Sequence, residues 1–174
     1  MSKVKLLPVD RFLQTLEIVY REGSHLSYSW GRVYSQPIDT SWVKDLDTRP
    51  EVAEQLEAFV SRFGRMQDTI ADKLLPRWLI ALAETPGSQI ETLNRAEKLG
   101  VVESVERWLE ARALRNRLVH EYIGRADDFA ADLLLAKEYS LVLVDSFNCL
   151  RAFAAERMGI GEALLPGKLA IVES

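Results

Sequence analysis

The segment LRNRLVHEYIG, residues 114–124, gathers Arg115, Asn116, His120 and Tyr122 within eight positions. His120 is one of only two histidines in the chain. Imidazole is the side chain best suited to moving protons near neutral pH. A guanidinium is a fixed positive fork that matches a phosphate gaining negative charge in a transition state. An asparagine amide can orient either group by hydrogen bonding. On a helix Asn116 and His120 stand four apart and share a face. Arg115 and His120 are five apart, about 140° around the axis at 3.6 residues per turn. One small ligand on one chain cannot easily touch both. Two copies of the helix packed antiparallel about a two-fold axis could bring both pairs into one cleft, so the spacing predicts a composite site in a homodimer.

The same residue types narrow the chemistry. The sequence offers no carboxylate-rich cluster and no His/Cys ligand spacing, so a metal site and a two-metal nuclease are not expected, nor is any cofactor. What remains is metal-independent RNA cleavage. One histidine helps to deprotonate a ribose 2′-hydroxyl, which attacks the adjacent phosphate while Arg115 steadies the phosphoryl oxygens. A second histidine, from the other copy, protonates the leaving 5′-oxygen. Only RNA carries the 2′-hydroxyl this needs. Charge agrees locally: residues 107–125 hold five arginines against Glu110 and Glu121, a net +3 in a chain of net −4. A basic strip on an acidic body suits a short phosphate contact. The acidic total excludes a protein that coats nucleic acid by bulk positive charge.

The elements that must position these residues read as helices almost throughout. From Val52 to Leu82 apolar residues recur in steps of three and four. Thr48 with Glu51 suggests a capping box, Pro50 fits a first turn, and Pro76 predicts a kink. Thr85-Pro86-Gly87 marks the end of this helix. Ser88 with Glu91 opens a short helix to Lys98, with Gly100 as its left-handed cap. The helix carrying the motif starts near Ser104 and closes at Gly124. Asp127 or Asp128 caps a long final helix reaching Phe153. Upstream, residues 9–22 and 24–35 read as two helices, and Pro37 to Asp47 as a loop with an exposed Trp42. The expectation is an all-α, up-and-down bundle of five or six helices.

The 174 residues are 48% hydrophobic and 28% charged. That favours a single domain, residues 1–158, followed by a tail, residues 159–174, loose in the monomer or docked on a partner. No segment has the 18 or so uncharged apolar residues of a membrane span. MSKVKLLPVD meets Pro8 and Asp10 before any apolar run of signal-peptide length, so a cytoplasmic protein is expected. The lone Cys149 excludes an intrachain disulfide and reads as a small buried hydrophobe.

With these residues in view, the stretch resembles the signature of HEPN-domain proteins, an arginine, a polar residue and a histidine a few positions on. Tyr122 makes it similar to the HepT-like toxin branch, whose motif is Arg, four residues, His, one residue, Tyr. Residues 63–76 (FGRMQDTIADKLLP) and 93–122 are also similar to the corresponding helices, and the resemblance covers roughly residues 50–158. It implies an α-helical homodimer acting as an RNA-cleaving toxin beside a minimal nucleotidyltransferase antitoxin. It further implies that Arg115, Asn116 and His120 form the nuclease site, and that the antitoxin modifies Tyr122 with AMP. An AMP there would add bulk and negative charge where RNA phosphate must sit. Arg65, Gln67 and Asp68 resemble a second feature of the family; Asp68 either orients Arg115 or forms a plain helix-to-helix ion pair.

Ordinary roles stand beside these. Arg107, Arg112 and Arg117 taken singly are what solvated, glutamate-paired helix arginines look like. Tyr122 could be a core residue, and His25 reads as a surface histidine near a helix start. Trp78, Trp108, Met66 and the phenylalanines fall at core spacing. Two other functions compete with the toxin: a non-catalytic module that binds substrate for a nucleotidyltransferase, and a purely structural helical dimer. The joint presence of Arg115, Asn116 and His120 separates the first from these, because neither alternative needs the trio.

Overall fold

A computed structural model describes residues 5–120 and 124–171. Among them every regular element is helical, so the chain is all-α. The elements are α1 (Pro8–Val33), α2 (Thr40–Lys44), α3 (Pro50–Thr69), α4 (Leu75–Ala81), α5 (Gln89–Lys98), α6 (Val105–His120) and α7 (Ala126–Arg157). A π-turn, Ile70–Leu74, fuses α3 and α4 into one rod, and short 3-10 turns lie at Asp45–Thr48 and Glu162–Leu164. No helix among the described residues is long and apolar enough to cross a membrane.

The core forms because the three-and-four spacing of each helix buries one stripe against the next. Phe12, Leu16, Val19 and Leu26 of α1 meet Leu56, Phe59, Phe63 and Met66 of α3, all fully buried. Trp78 of α4 packs edge-on against Phe153 of α7, ring centroids 5.1 Å apart. The Trp30 indole N–H donates to the Lys137 carbonyl at 3.2 Å, tying α1 to α7.

Several local expectations are met. The Ser88–Glu91 box is formed in both directions, and Gly100 has φ +78°. The interruption that Pro76 demands takes the form of the π-turn. A proline ring crowds the carbonyl four residues back, here Asp72, and supplies no N–H to it. The chain widens by one residue per turn at that place.

Others are corrected. The two helices expected over 9–22 and 24–35 are one, because Gly23 sits on the buried face and the 3–4 spacing continues through it. A side chain there would collide with Leu169 and Met66. Trp42 is buried and lies in α2, whose start Asp39 caps by accepting the Trp42 N–H at 2.8 Å. The Thr48 hydroxyl donates to the Asp45 carbonyl, so it does not cap α3; Pro50 starts that helix with its fixed φ. The rod ends at Ala81, ahead of Thr85-Pro86-Gly87. Ala83 takes φ +61° and the Glu84 N–H closes onto the Leu79 carbonyl, a cap normally made with glycine and therefore invisible as a stop signal. Arg125 is the N-cap of α7, while Asp127 and Asp128 lie in its first turn, where the helix dipole favours carboxylates.

The expectation of a loose tail is overturned over residues 159–171. The Asn148 amide donates to the Leu169 carbonyl and accepts the Leu169 N–H, both at 2.9 Å. Arg151 donates to the Pro166 carbonyl at 2.6 Å, and Leu169 fills the notch at Gly23. The arm stays because its backbone polar groups find side-chain partners on α7. Cys149 is exposed rather than buried, one position outside the inward stripe of α7.

Candidate functional site

Helix α6 carries the motif. The Ser104 hydroxyl accepts the Arg107 N–H and the Glu97 carboxylate accepts the Val105 N–H, which fixes its start. Trp108, Ala111, Leu114 and Leu118 form its buried stripe. With that stripe inward, Arg115 is turned sideways onto α3 and Asn116 and His120 outward; both of the latter are exposed.

Arg115 crosses α3 at Gly64, where an added Cβ would stand 2.9 Å from its Nε. One turn further its Nη2 donates to the Asp68 carboxylate at 2.8 Å. The two side chains are 34% and 47% exposed, so the pair contributes under about 1 kcal/mol to stability. Arg115 Nε itself is buried with no hydrogen-bond partner.

The Arg115–Asp68 pair is a wall between two clefts. The larger, about 710 Å³, lies between α3, the π-turn and α6, with Arg65, Lys73 and Val119 on its sides. Its charges are mixed, since Glu57, Asp68 and Asp72 face the same space. Behind it burial raises the Glu22 carboxyl above its ordinary value, against the opposing pull of the Thr69 hydrogen bond, Arg65 and Lys73. The smaller cleft, about 250 Å³, lies across the wall and is bordered by Gln67, Trp108, Arg112 and Asn116.

The structure therefore brings Arg115, Asp68 and Arg65 together at the larger cleft and places Asn116 at the smaller one. His120 lines neither: it is exposed in the last described turn of α6, about 140° around the axis from Arg115. Tyr122 lies outside the described residues. His25 is exposed, and its carbonyl accepts from Arg62. Among the described residues no three His, Cys, Asp or Glu side chains gather as a metal-holding group.

The basic strip is less basic in space than along the chain. Arg107 pairs with Glu103 at 3.8 Å and lies over the Tyr139 ring; Arg117 makes a two-pronged contact with Asp132, its shortest distance 3.0 Å. Arg112 donates to the Gln89 amide, and Arg125 pairs with Asp127 at 3.2 Å. Four of the five arginines thus meet carboxylates that lie outside residues 107–125, at Glu103, Asp68, Asp132 and Asp127, so a count within that stretch overstates the free charge.

Sequence reasoning missed Gly64 as the seat of Arg115, although a glycine inside a long helix costs about 1 kcal/mol relative to alanine and asks for a reason. It also missed that Gln67 is buried, 2% exposed, on the stripe shared with Phe63 and Ile70. Comparison with protein-family models, curated proteins and solved structures gives no match to this chain.

Proposed function

We propose that the chain is a metal-independent ribonuclease of HEPN type, acting as the HepT-like toxin of a toxin–antitoxin pair in the cytoplasm. The observation that carries this is Arg115, half-buried and held by Asp68 beside a cleft, with exposed Asn116 and His120 on the adjoining face of the same helix. A homodimer joined along α6 would bring Arg115 and His120 of both copies to one shared cleft, which one chain cannot do alone.

Cleavage would run by transesterification. His120 takes the proton of the 2′-hydroxyl, whose oxygen attacks the neighbouring phosphorus. Arg115 stabilises the charge gathering on the non-bridging oxygens. The second copy's His120 gives a proton to the departing 5′-oxygen, leaving a 2′,3′-cyclic phosphate and a free 5′-hydroxyl. A minimal nucleotidyltransferase antitoxin would silence the site by placing AMP on Tyr122, whose phosphate would compete with that of RNA.

The Glu57, Asp68 and Asp72 carboxylates at the larger cleft favour a second possibility, a non-catalytic adaptor that presents substrate to a nucleotidyltransferase. One experiment separates the two. His120→Ala and Arg115→Ala should each lower RNA cleavage by about 10²-fold or more, the scale of a lost proton-transfer or charge-stabilising group, and relieve growth arrest. Melting temperature and dimer mass should be unchanged. Cleavage that survives His120→Ala at full rate, or a wild-type chain that is monomeric and inert on RNA, would refute the nuclease.

A further inference from the structure

Buried polar atoms without partners are rare in folded proteins, because each gives up its hydrogen bonds to water and gets nothing in return. Among the described residues five side-chain atoms are in that state, and four of them belong to residues bordering the 250 Å³ cleft. They are both amide atoms of Gln67, the indole N–H of Trp108 and Nε of Arg115. Gln67 and Trp108 are each 2% exposed. The four atoms sit on three residues at the border of one cleft, each closed off from solvent. The place is built around polar groups that the chain itself leaves unsatisfied.

We propose that this cleft is a base subsite, which seats one nucleobase of the RNA strand against the Gln67 amide while Arg115 separates it from the phosphate being cut. It rests on the nuclease reading above. The chemistry fits in three respects. A primary amide sets a donor beside an acceptor, the pattern that pairs with a base edge. The Trp108 N–H adds a second donor, and Leu93 and Leu109 supply apolar surface for the ring faces. The volume lies under the roughly 300–1,000 Å³ of sites for drug-sized ligands, which suits a single base better than a whole nucleotide or a peptide. Gln67, Trp108 and Leu93 are each 2% exposed, so a base reaches them only after the cleft opens; Arg112, held by Gln89, and Asn116 are the exposed α6 side chains at its border that must move for this.

The test uses the full chain and the indole N–H resonance of Trp108, assigned by its loss in Trp108→Phe. AMP, GMP, CMP, UMP and inorganic phosphate are titrated separately. At least one monophosphate should shift this resonance saturably, with at least tenfold higher affinity than phosphate alone. Gln67→Leu should abolish the shift and yet raise the melting temperature, because it replaces an orphaned amide by an apolar group of similar size. Gln67→Glu, which exchanges the donor for an acceptor, should reorder the four monophosphates and, in parallel, the base preference at the cut.

The subsite is refuted if no monophosphate moves the resonance, if phosphate moves it equally, or if Gln67→Leu binds as the wild type does. It is also refuted if Gln67→Leu instead weakens self-association, since the second copy would then be the occupant. Failure of the nuclease reading looks different: the wild type binds the base but cuts no RNA.

Discussion

Gly23 and Gly64 are both interior residues of long helices, and both clear a path for a side chain from elsewhere in the fold. Gly23 of α1 admits Leu169 of the C-terminal arm; Gly64 of α3 admits Arg115 of α6. The two notches end differently. Around Leu169 the polar groups are matched, with Asn148 serving both its N–H and its carbonyl and Arg151 reaching both Pro166 and Glu162. Around Arg115 they are not, since its Nε, the Gln67 amide and the Trp108 indole are buried without partners. A satisfied contact of the first kind is what a fold needs to close on itself. An unsatisfied one stores a cost that only something outside the chain can relieve.

Three measurements would break or sharpen that contrast. The largest effect should come from Asn148→Ala, which removes two hydrogen bonds to the arm and should cost about 1–3 kcal/mol. The arm should then be cut by trypsin after Lys168 much faster than in the wild type, and an arm still protected would show that Leu169 in its notch holds it unaided. A smaller effect on stability is expected at Gly64→Ala. Alanine gains about 1 kcal/mol of helix propensity, and the group it displaces is the flexible Arg115. Melting should therefore move little. RNA cleavage should fall by about 10²-fold, the penalty of moving a catalytic group by roughly an ångström. Equal losses in both quantities would make Arg115 a packing residue.

The smallest effect is expected at Glu22, which neighbours Gly23 on α1 and reaches across to Thr69 of α3. Burial raises its folded-state carboxyl pKa, so its protonated form is favoured by folding and its ionised form opposed. Stability from this group is present below the ordinary carboxyl pKa and lost as pH rises through the raised one. Glu22→Gln should thus raise the melting temperature at pH 7, by less than the effect of Asn148→Ala, and the gain should vanish in acid. A gain that persisted at low pH would assign it to packing.

Legibility along the chain followed the range of the forces involved. The Ser88–Glu91 box, the Gly100 cap and the disturbance before Pro76 were readable because each depends on residues within five positions. The meeting of Arg115 with Asp68 was also anticipated, as either of two roles, and the structure shows the contact that both require. Trp42, Cys149 and the arm were misread because their burial depends on what lies across the bundle. Ala83 hid the end of α4 because a left-handed alanine leaves no compositional mark.

By itself the sequence determined that this chain is helical, which stripes face inward, and that Arg115 and His120 point apart on α6. Those follow from 3.6 residues per turn and from the cost of leaving apolar surface in water. Tertiary structure alone decided that Arg115 and Arg117 meet the carboxylates of Asp68 and Asp132, that two glycines are notches, and that orphaned polar groups collect beside Arg115. These depend on distances between elements remote along the chain, which the order of residues does not fix locally.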